Sequence, residues 1–320
     1  MTKMGSFYPC LVPRQRKEFP SVAWPDRTYE ALDHPLSGDV LNCIPPGPAL
    51  YLRASYQRGV AVESPGQNRL STAEIESFKS DGFLGPYPMM SPAEMADLTP
   101  EIEAVLATTP SGHQKSWHNR HLDCRLIFDL ASSPAIVDRM ASLYGPDLLL
   151  WRTSFFVKDP GAKRIPWHQD FNYWPLEPPV IVSAWIAIDP ATVENSCLQI
   201  LPGSHRKVIP HIKAGEEMIF DEMGDDRYYD PDRAVNLEMA PGEFILFNER
   251  TLHHSHPNQS DRRRIALAVR VILPFVSVLK WDSPDHLLHL LAGSDRMGFN
   301  RMGDPPVAGD RAIADEKELA

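Results

Sequence analysis

The chain has 320 residues, 43% of them hydrophobic, so it can bury one large core or two modest ones and has room for a complete enzyme-sized domain. Its formal net charge of -10 gives no general attraction for a polyanion, which argues against nucleic acid or an anionic membrane as the main partner and favours a small molecule. Its four cysteines, Cys10, Cys43, Cys124 and Cys197, lie far apart, and no apolar run reaches the length of about 18 residues that spans a membrane, so a cytoplasmic protein with reduced thiols is expected, its oligomeric state left open.

Residues 1 to 70 are rich in proline and turn formers ("CIPPGPAL", "VESPGQN") and read as an extended arm. A helix is expected from "STAEIESF", where Ser71 and Glu74 form a capping box, and a second from "SPAEMADL", with Ser91 as cap, Pro92 in the first turn and Glu94 closing the box. A third is expected in "SSPAIVDRMASLYG", starting at Ser133 and stopping at Gly145. After Gly145 the pattern changes to short strands: "DLLLWRTSFFVK", "VIVSAWIAID", "CLQILPGSH", "GEFILFN" and "RIALAVRVIL". With few segments of crossover length between them, an antiparallel sandwich or barrel is favoured over a parallel sheet. An acidic, loop-like insertion over residues 211 to 240 is long enough to act as a lid. A last helix is expected at "SPDHLLHLLAG", within a C-terminal segment 276 to 320 whose end, from Gly303, is expected to be disordered.

On an extended strand residues i and i+2 project to the same side, so His168 and Asp170 in "IPWHQDFNYWP" can aim an imidazole and a carboxylate at one point. A solvated strand edge would carry the same pair, so the pair alone does not decide. The segment "NERTLHHSHPNQSDRRRIAL" adds His253, His254 and His256 as candidate third ligands, followed by Arg262, Arg263 and Arg264, and spacing does not choose among the histidines. Two histidines and one carboxylate leave coordination positions open, as in non-haem Fe(II) oxygenases, whereas a closed zinc site takes four protein ligands. A guanidinium grips a carboxylate through two parallel hydrogen bonds, so an arginine close by can hold a diacid cosubstrate.

The segments "FFVKDPGAKRIPWHQDFNYWPL", "VSAWIAIDPATVENSCLQILPGSHR", "PGEFILFNERTLHHSHPNQSDRRRIAL" and "EIESFKSDGFLGPYPMMSPAEM" together resemble the phytanoyl-CoA dioxygenase family of Fe(II)/2-oxoglutarate-dependent oxygenases. The resemblance covers roughly residues 70 to 275, and residues 71 to 275 are taken as the catalytic domain. It implies a mainly β fold with flanking helices, built on a double-stranded β-helix or jelly roll. It also implies Fe(II) as cofactor, 2-oxoglutarate and O2 as cosubstrates, and His168, Asp170 and His253 as iron ligands, with His256 the main rival to His253 and His254 turned away. By the same resemblance Arg264 holds the far carboxylate of 2-oxoglutarate, with Ser255 and Trp185 beside it, while Arg262 and Arg263 fall in a solvated hairpin. The alternation of "RIALAVRVIL" would turn Arg264, Ala266 and Ala268 to one face. Relatives often have Asn-Gly-Cys where this chain has Asn195-Ser196-Cys197, which bears on the local turn and not on the metal site.

The implied reaction is oxidation of an unactivated C-H bond with release of succinate and CO2. Related halogenases have a small residue in place of Asp170, so its presence favours hydroxylation, desaturation or cyclisation. Phe171, Asn172, Tyr173 and Trp174 follow the ligands and are candidate substrate contacts, as is Arg152, which alternates with Ser154 and Phe156 on the preceding strand. The acidic insertion reads as a solvated loop. Lys163 and Arg164 are too little basic surface for a CoA thioester, so the expected substrate is a small metabolite or natural-product intermediate. A metal-dependent hydrolase using the same ligands and a non-catalytic jelly-roll binding protein are the alternatives.

Overall fold

The computed structural model describes residues 68–109 and 117–307. All but the last three residues of the expected proline-rich arm lie outside these, as do the tail residues beyond 307.

The first half is helical, as the capping signals require: α1 (Thr72–Asp81), β1 (Phe83–Pro88), α2 (Pro92–Leu106), α3 (Arg125–Ala131) and α4 (Pro134–Tyr144). Ser71 and Ser91 both form full capping boxes, with the Glu74 and Glu94 carboxylates accepting from the cap N–H groups at 2.8 and 2.7 Å. Ser133 precedes α4 but its side chain makes no capping bond, so Pro134, pre-set in φ at the first turn, is what marks that start.

The strands follow: β2 (Leu148–Lys158), β3 (Ile165–His168), β4 (Leu176–Glu177), β5 (Ile181–Ala187), β6 (Leu198–Ile200), β7 (His211–Lys213), β8 (Glu222–Gly224), β9 (Val235–Leu237), β10 (Glu243–Asn248), β11 (His253–Ser255), β12 (Arg264–Ile272), β13 (Ser277–Val278) and β14 (His289–Ala292). Six form one sheet in the order β1-β10-β5-β12-β2-β14, and four form a second in the order β3-β11-β6-β9, every pair antiparallel. The run of short strands is thus antiparallel as expected, and the fold is the jelly roll that the family resemblance implies.

Strand periodicity sorts the side chains of the large sheet into two layers. On β12, Ile265, Leu267, Val269 and Val271 join Val182, Ala184 and Ile186 of β5 in the larger core, with Met95, Ile127, Ile136 and Met140 of the helices. The alternate residues Ala266 and Ala268, with Trp185, Ile245 and Phe247, pack toward Leu198, Ile200 and Leu237 of the small sheet in a second core. The inner layer is therefore small-residued along β12.

Two expectations fail here. "SPDHLLHLLAG" forms no helix: His289–Ala292 is β14, an edge strand paired with Leu148, Leu149 and Leu150 of β2. Its apolar residues match a helical period equally well, but pairing with β2 satisfies the backbone groups of an otherwise open sheet edge. The insertion of residues 211 to 240 is not a plain loop either, because it holds the β7–β8 hairpin and β9, which closes the small sheet.

The turn at Asn195-Ser196-Cys197 forms without glycine. Ser196 adopts φ 78°, a left-handed conformation that costs a non-glycine residue roughly 1–2 kcal/mol. Its Oγ donates to the His256 carbonyl and accepts from Lys158 Nζ at 2.9 Å, which offsets that strain. Ser196→Ala keeps the strain and loses both bonds, whereas Ser196→Gly loses the bonds and relieves the strain. The alanine variant should be less stable than the glycine variant by about 1 kcal/mol in urea unfolding; equal midpoints would contradict this account.

Candidate active site

The metal-ligating candidates come together where β3 meets β11. His253 is the register partner of His168, so the two imidazoles are cross-strand neighbours with ring centroids 4.1 Å apart. Gln169 continues extended after β3, and Asp170 then opens a short 3-10 turn, Asp170–Tyr173. The carboxylate thus reaches the histidines from a turn beyond the strand end, not from the strand itself. Ligand atoms of His168, Asp170 and His253 lie within 4.8 Å of one another, and all three residues are buried.

The hydrogen bonds fix how these groups face. Nδ1 of His168 is 2.8 Å from the Pro166 carbonyl and Nδ1 of His253 is 2.8 Å from the Thr251 carbonyl. A carbonyl only accepts, so Nδ1 carries a proton in each ring and Nε2 is the nitrogen turned toward Asp170. The two Nε2 atoms lie 3.4 and 3.8 Å from Asp170 Oδ1. Burial and the neighbouring His168 push the His253 imidazole down to about 4, so it is neutral at physiological pH. Burial opposes ionisation of Asp170, but Arg270 and the two histidines outweigh it and hold the carboxyl well below the usual range. Two imidazoles and a carboxylate therefore converge in a buried place, an arrangement that fits a cation. Two nitrogens and one carboxylate oxygen with further positions open suit iron in particular.

Among the described residues several buried polar atoms have no hydrogen-bond partner: Asp170 Oδ2 and, beside it, Nε and Nη1 of Arg270, with Ser255 Oγ on β11 and Arg264 Nε on β12. Such groups are rare in folded proteins and commonly mark an absent ligand. Arg264 is 1% exposed and its guanidinium lies 5.1 Å from the Trp185 ring centre. Burial lowers its pKa to about 10, so it stays cationic at neutral pH. In front of Asp170 opens a cavity of about 1340 Å³, bordered among others by Arg152, Phe156, Tyr173, Trp174, Phe220 and Arg270.

A profile of the phytanoyl-CoA dioxygenase (PhyH) family matches residues 78–266, more than half of the chain. The chain belongs to the PhyH family. Among curated PhyH relatives, "Dioxygenase lolE1" of Epichloe uncinata is 31% identical over 139 residues, covering 43% of this chain and 52% of that protein. The peroxisomal phytanoyl-CoA dioxygenase of Bos taurus is 30% identical over 153 residues, 44% of each chain. The alignments thus span about half the length of the curated relatives. A solved structure described as "CytC3 with Fe(II) and alpha-ketoglutarate" is 27% identical with TM-score 0.59, covering 74% of this chain and 93% of that one. The apo form of the non-heme monooxygenase ThoJ is 28% identical with TM-score 0.62, covering 72% and 88%. The PhyH-family jelly roll is thus shared with iron oxygenases, and His168, Asp170 and His253 fit its iron site.

Placement of the remaining candidates is mixed. His254 turns away, as expected, with its ring on Trp167 (centroids 3.9 Å apart) and its Nε2 on the Gln199 side-chain oxygen. His256 is outside the ligand cluster and contributes its carbonyl to Lys158 and Ser196. Tyr173, Trp174 and Arg152 border the cavity, but Phe171 and Asn172 do not. The 3-10 turn rotates successive residues by about a third of a turn, so Phe171 instead lies under Arg250, 5.6 Å away, and Asn172 donates to Glu222 at 3.0 Å. Arg263 is not in a solvated hairpin: it pairs with Glu103 (2.6 Å) and Asp189 (3.2 Å) and borders the cavity. The acidic insertion supplies Asp221, Glu222 and Phe220 to the cavity wall, with the Phe220 ring 4.9 Å from that of His168.

Arg270 is the residue that sequence reasoning missed. It lies six residues after Arg264 on the same strand, so the period-two rule that grouped Arg264, Ala266 and Ala268 extends to it. Its Nη2 is 3.6 Å from Asp170 Oδ2.

His253→Ala and Asp170→Ala should each lose ferrous binding by more than the roughly 10–100-fold that a lost supporting group costs, while His256→Ala keeps it within about threefold. Anaerobic Fe(II) titration checks this; loss in His256→Ala with retention in His253→Ala would reverse the assignment.

Proposed function

We propose that the protein is an Fe(II)- and 2-oxoglutarate-dependent dioxygenase that oxidises an unactivated C-H bond of a small metabolite or natural-product intermediate, releasing succinate and CO2. The observation that carries this reading is the pairing of a buried His168-Asp170-His253 triad with a buried arginine, unsatisfied among the described residues, on the inner face of β12. A zinc hydrolase would need the triad but gives Arg264 no task.

In this reading iron supplies O2 activation coupled to decarboxylation of 2-oxoglutarate. The chain's own groups hold and orient the reactants. Arg264 takes the far carboxylate of 2-oxoglutarate through its fork of N–H donors. Ser255 Oγ, buried without a partner, adds a hydroxyl donor to the same acid. Trp185 walls that subsite, with the small side chains of Ala266 and Ala268 on the same inner layer. The substrate occupies the cavity bordered by Tyr173, Trp174 and Arg152, and Phe220 with the β7–β8 hairpin shields it from water. Asp170 completes the ligand set, so the outcome is hydroxylation, desaturation or cyclisation. A place in secondary metabolism and a cytoplasmic site of action go with this reading. Among the described residues no helix is long and apolar enough to cross a membrane.

Anaerobic addition of Fe(II) and 2-oxoglutarate to the purified chain should produce a visible metal-to-ligand charge-transfer band, and absence of the band would overturn the proposal. Arg264→Met should weaken 2-oxoglutarate binding by about tenfold or more while Fe(II) binding persists, since it removes a buried charge-assisted pair; unchanged affinity would place the diacid elsewhere.

A further inference from the structure

The pairing of β2 with β12 sets Arg152 directly opposite Arg270, two like charges as cross-strand neighbours on the inner face of the sheet. Such a pair is destabilising unless anions lie nearby. Two do. Asp282 lies 3.4 Å from Arg152, and Asp170 lies 3.6 Å from Arg270.

The second of these is the weaker balance, because Asp170 is also a metal ligand. Its Oδ1 faces the two histidines and only Oδ2 faces Arg270. With iron and dianionic 2-oxoglutarate bound, the formal charges of metal, Asp170, Arg264 and cosubstrate cancel, and Arg152 is matched by Asp282. Arg270 is left as a buried cation without a counterion.

The geometry around it is that of a prepared anion site. Arg270 is 5% exposed and borders the cavity in front of the metal. Its guanidinium is held by two aromatic rings, 4.6 Å from the centre of Trp174 and 5.8 Å from that of Phe156. Nε and Nη1 have no acceptor among the described residues. A buried guanidinium that only positioned Asp170 would leave these two donors desolvated and unpaired, a costly arrangement.

We propose that Arg270, with Arg152 beside it, forms the subsite for an anionic group of the substrate: a carboxylate, sulfonate or phosphonate held close to the metal. The inference rests on the oxygenase reading above, because it takes the cavity as the substrate's. It narrows the substrate class to small organic acids, with the acid group deep in the cavity and the oxidised carbon within a few bonds of it. The aromatic residues that border the same cavity, Trp174, Tyr173 and Phe156, suit an apolar body attached to that acid.

The test is calorimetric titration of the full chain, loaded with Mn(II) and saturating 2-oxoglutarate, with benzoate, benzenesulfonate and phenylphosphonate against neutral benzyl alcohol. At least one acid should bind about tenfold or more tightly than the alcohol, and which acid does so distinguishes the three head groups. Arg270→Met should remove that preference and leave 2-oxoglutarate affinity within about threefold; Arg270→Lys, which keeps the charge and loses the fork, should restore part of it. No preference for any acid over the alcohol in the wild-type protein overturns the proposal, and that comparison needs no variant. An equal loss of 2-oxoglutarate affinity in Arg270→Met also overturns it, by assigning Arg270 to the cosubstrate. A charge-transfer band in the wild-type protein combined with no acid preference sinks this inference alone, whereas absence of the band sinks the oxygenase reading beneath it.

Discussion

The register of β11 against β3 is the constraint on which the site depends. It sets His253 opposite His168, and because side chains alternate along a strand, a slip of one residue would turn His254 inward and carry His253 to the far face. The register is held from outside the site. Gln169, fully buried between the two ligands, donates through Nε2 to the Lys207 and Arg250 carbonyls at 2.8 and 2.5 Å and accepts from Ile209 N–H at 2.8 Å. Asn258, just beyond β11, donates to the Lys158 and Arg262 carbonyls at 2.9 and 2.7 Å. These amides tie β3 and β11 to their flanking loops, so the imidazoles need not be held by the metal itself.

The inner face of β12 shows the opposite economy. Its outer residues fill the larger core, while the inner ones are alanines between two arginines, so a strand in the middle of the main sheet carries small side chains and buried charge. Arg264 and Arg270 are both pushed down to about 10 by burial, yet both remain cationic at neutral pH. Burying two charges on one strand breaks local rules of stability, as binding sites do, and the large helix-covered core on the other face offsets the cost; the roles proposed for the two arginines would account for it. The two arginines sit at the two ends of the alanine pair, so one strand can serve two acids: the cosubstrate at Arg264 and the substrate at Arg270.

Much of this was legible in advance. Capping boxes at Ser71 and Ser91, the change of period after Gly145 and the spacing of short strands depend on neighbouring residues alone, and they give helices, strands and an antiparallel arrangement, while the jelly roll itself followed from the family resemblance. His168, Asp170 and His253 were legible through motif order, and Arg264, Ala266 and Ala268 through alternation. Less was legible where two periods fit equally, as at His289–Ala292, or where a residue's partner is distant in the chain. Arg263 pairs with Glu103 and Asp189, 160 and 74 residues away, and nothing beside it announces either contact.

By itself the sequence determined which ligand groups were available and in what order, though not which of His253, His254 and His256 would serve, because an imidazole, a carboxylate and a guanidinium are chemical facts of the residue and a strand's two faces follow from its period of two. Tertiary structure decided which of these groups meet. The 3-10 turn after His168 brings Asp170 to the metal point while turning Phe171 and Asn172 from the cavity, and the pairing of β2 with β12 brings Arg152 opposite Arg270. Both are matters of register and turn geometry set by contacts between segments on the order of a hundred residues apart, and such contacts leave no local trace.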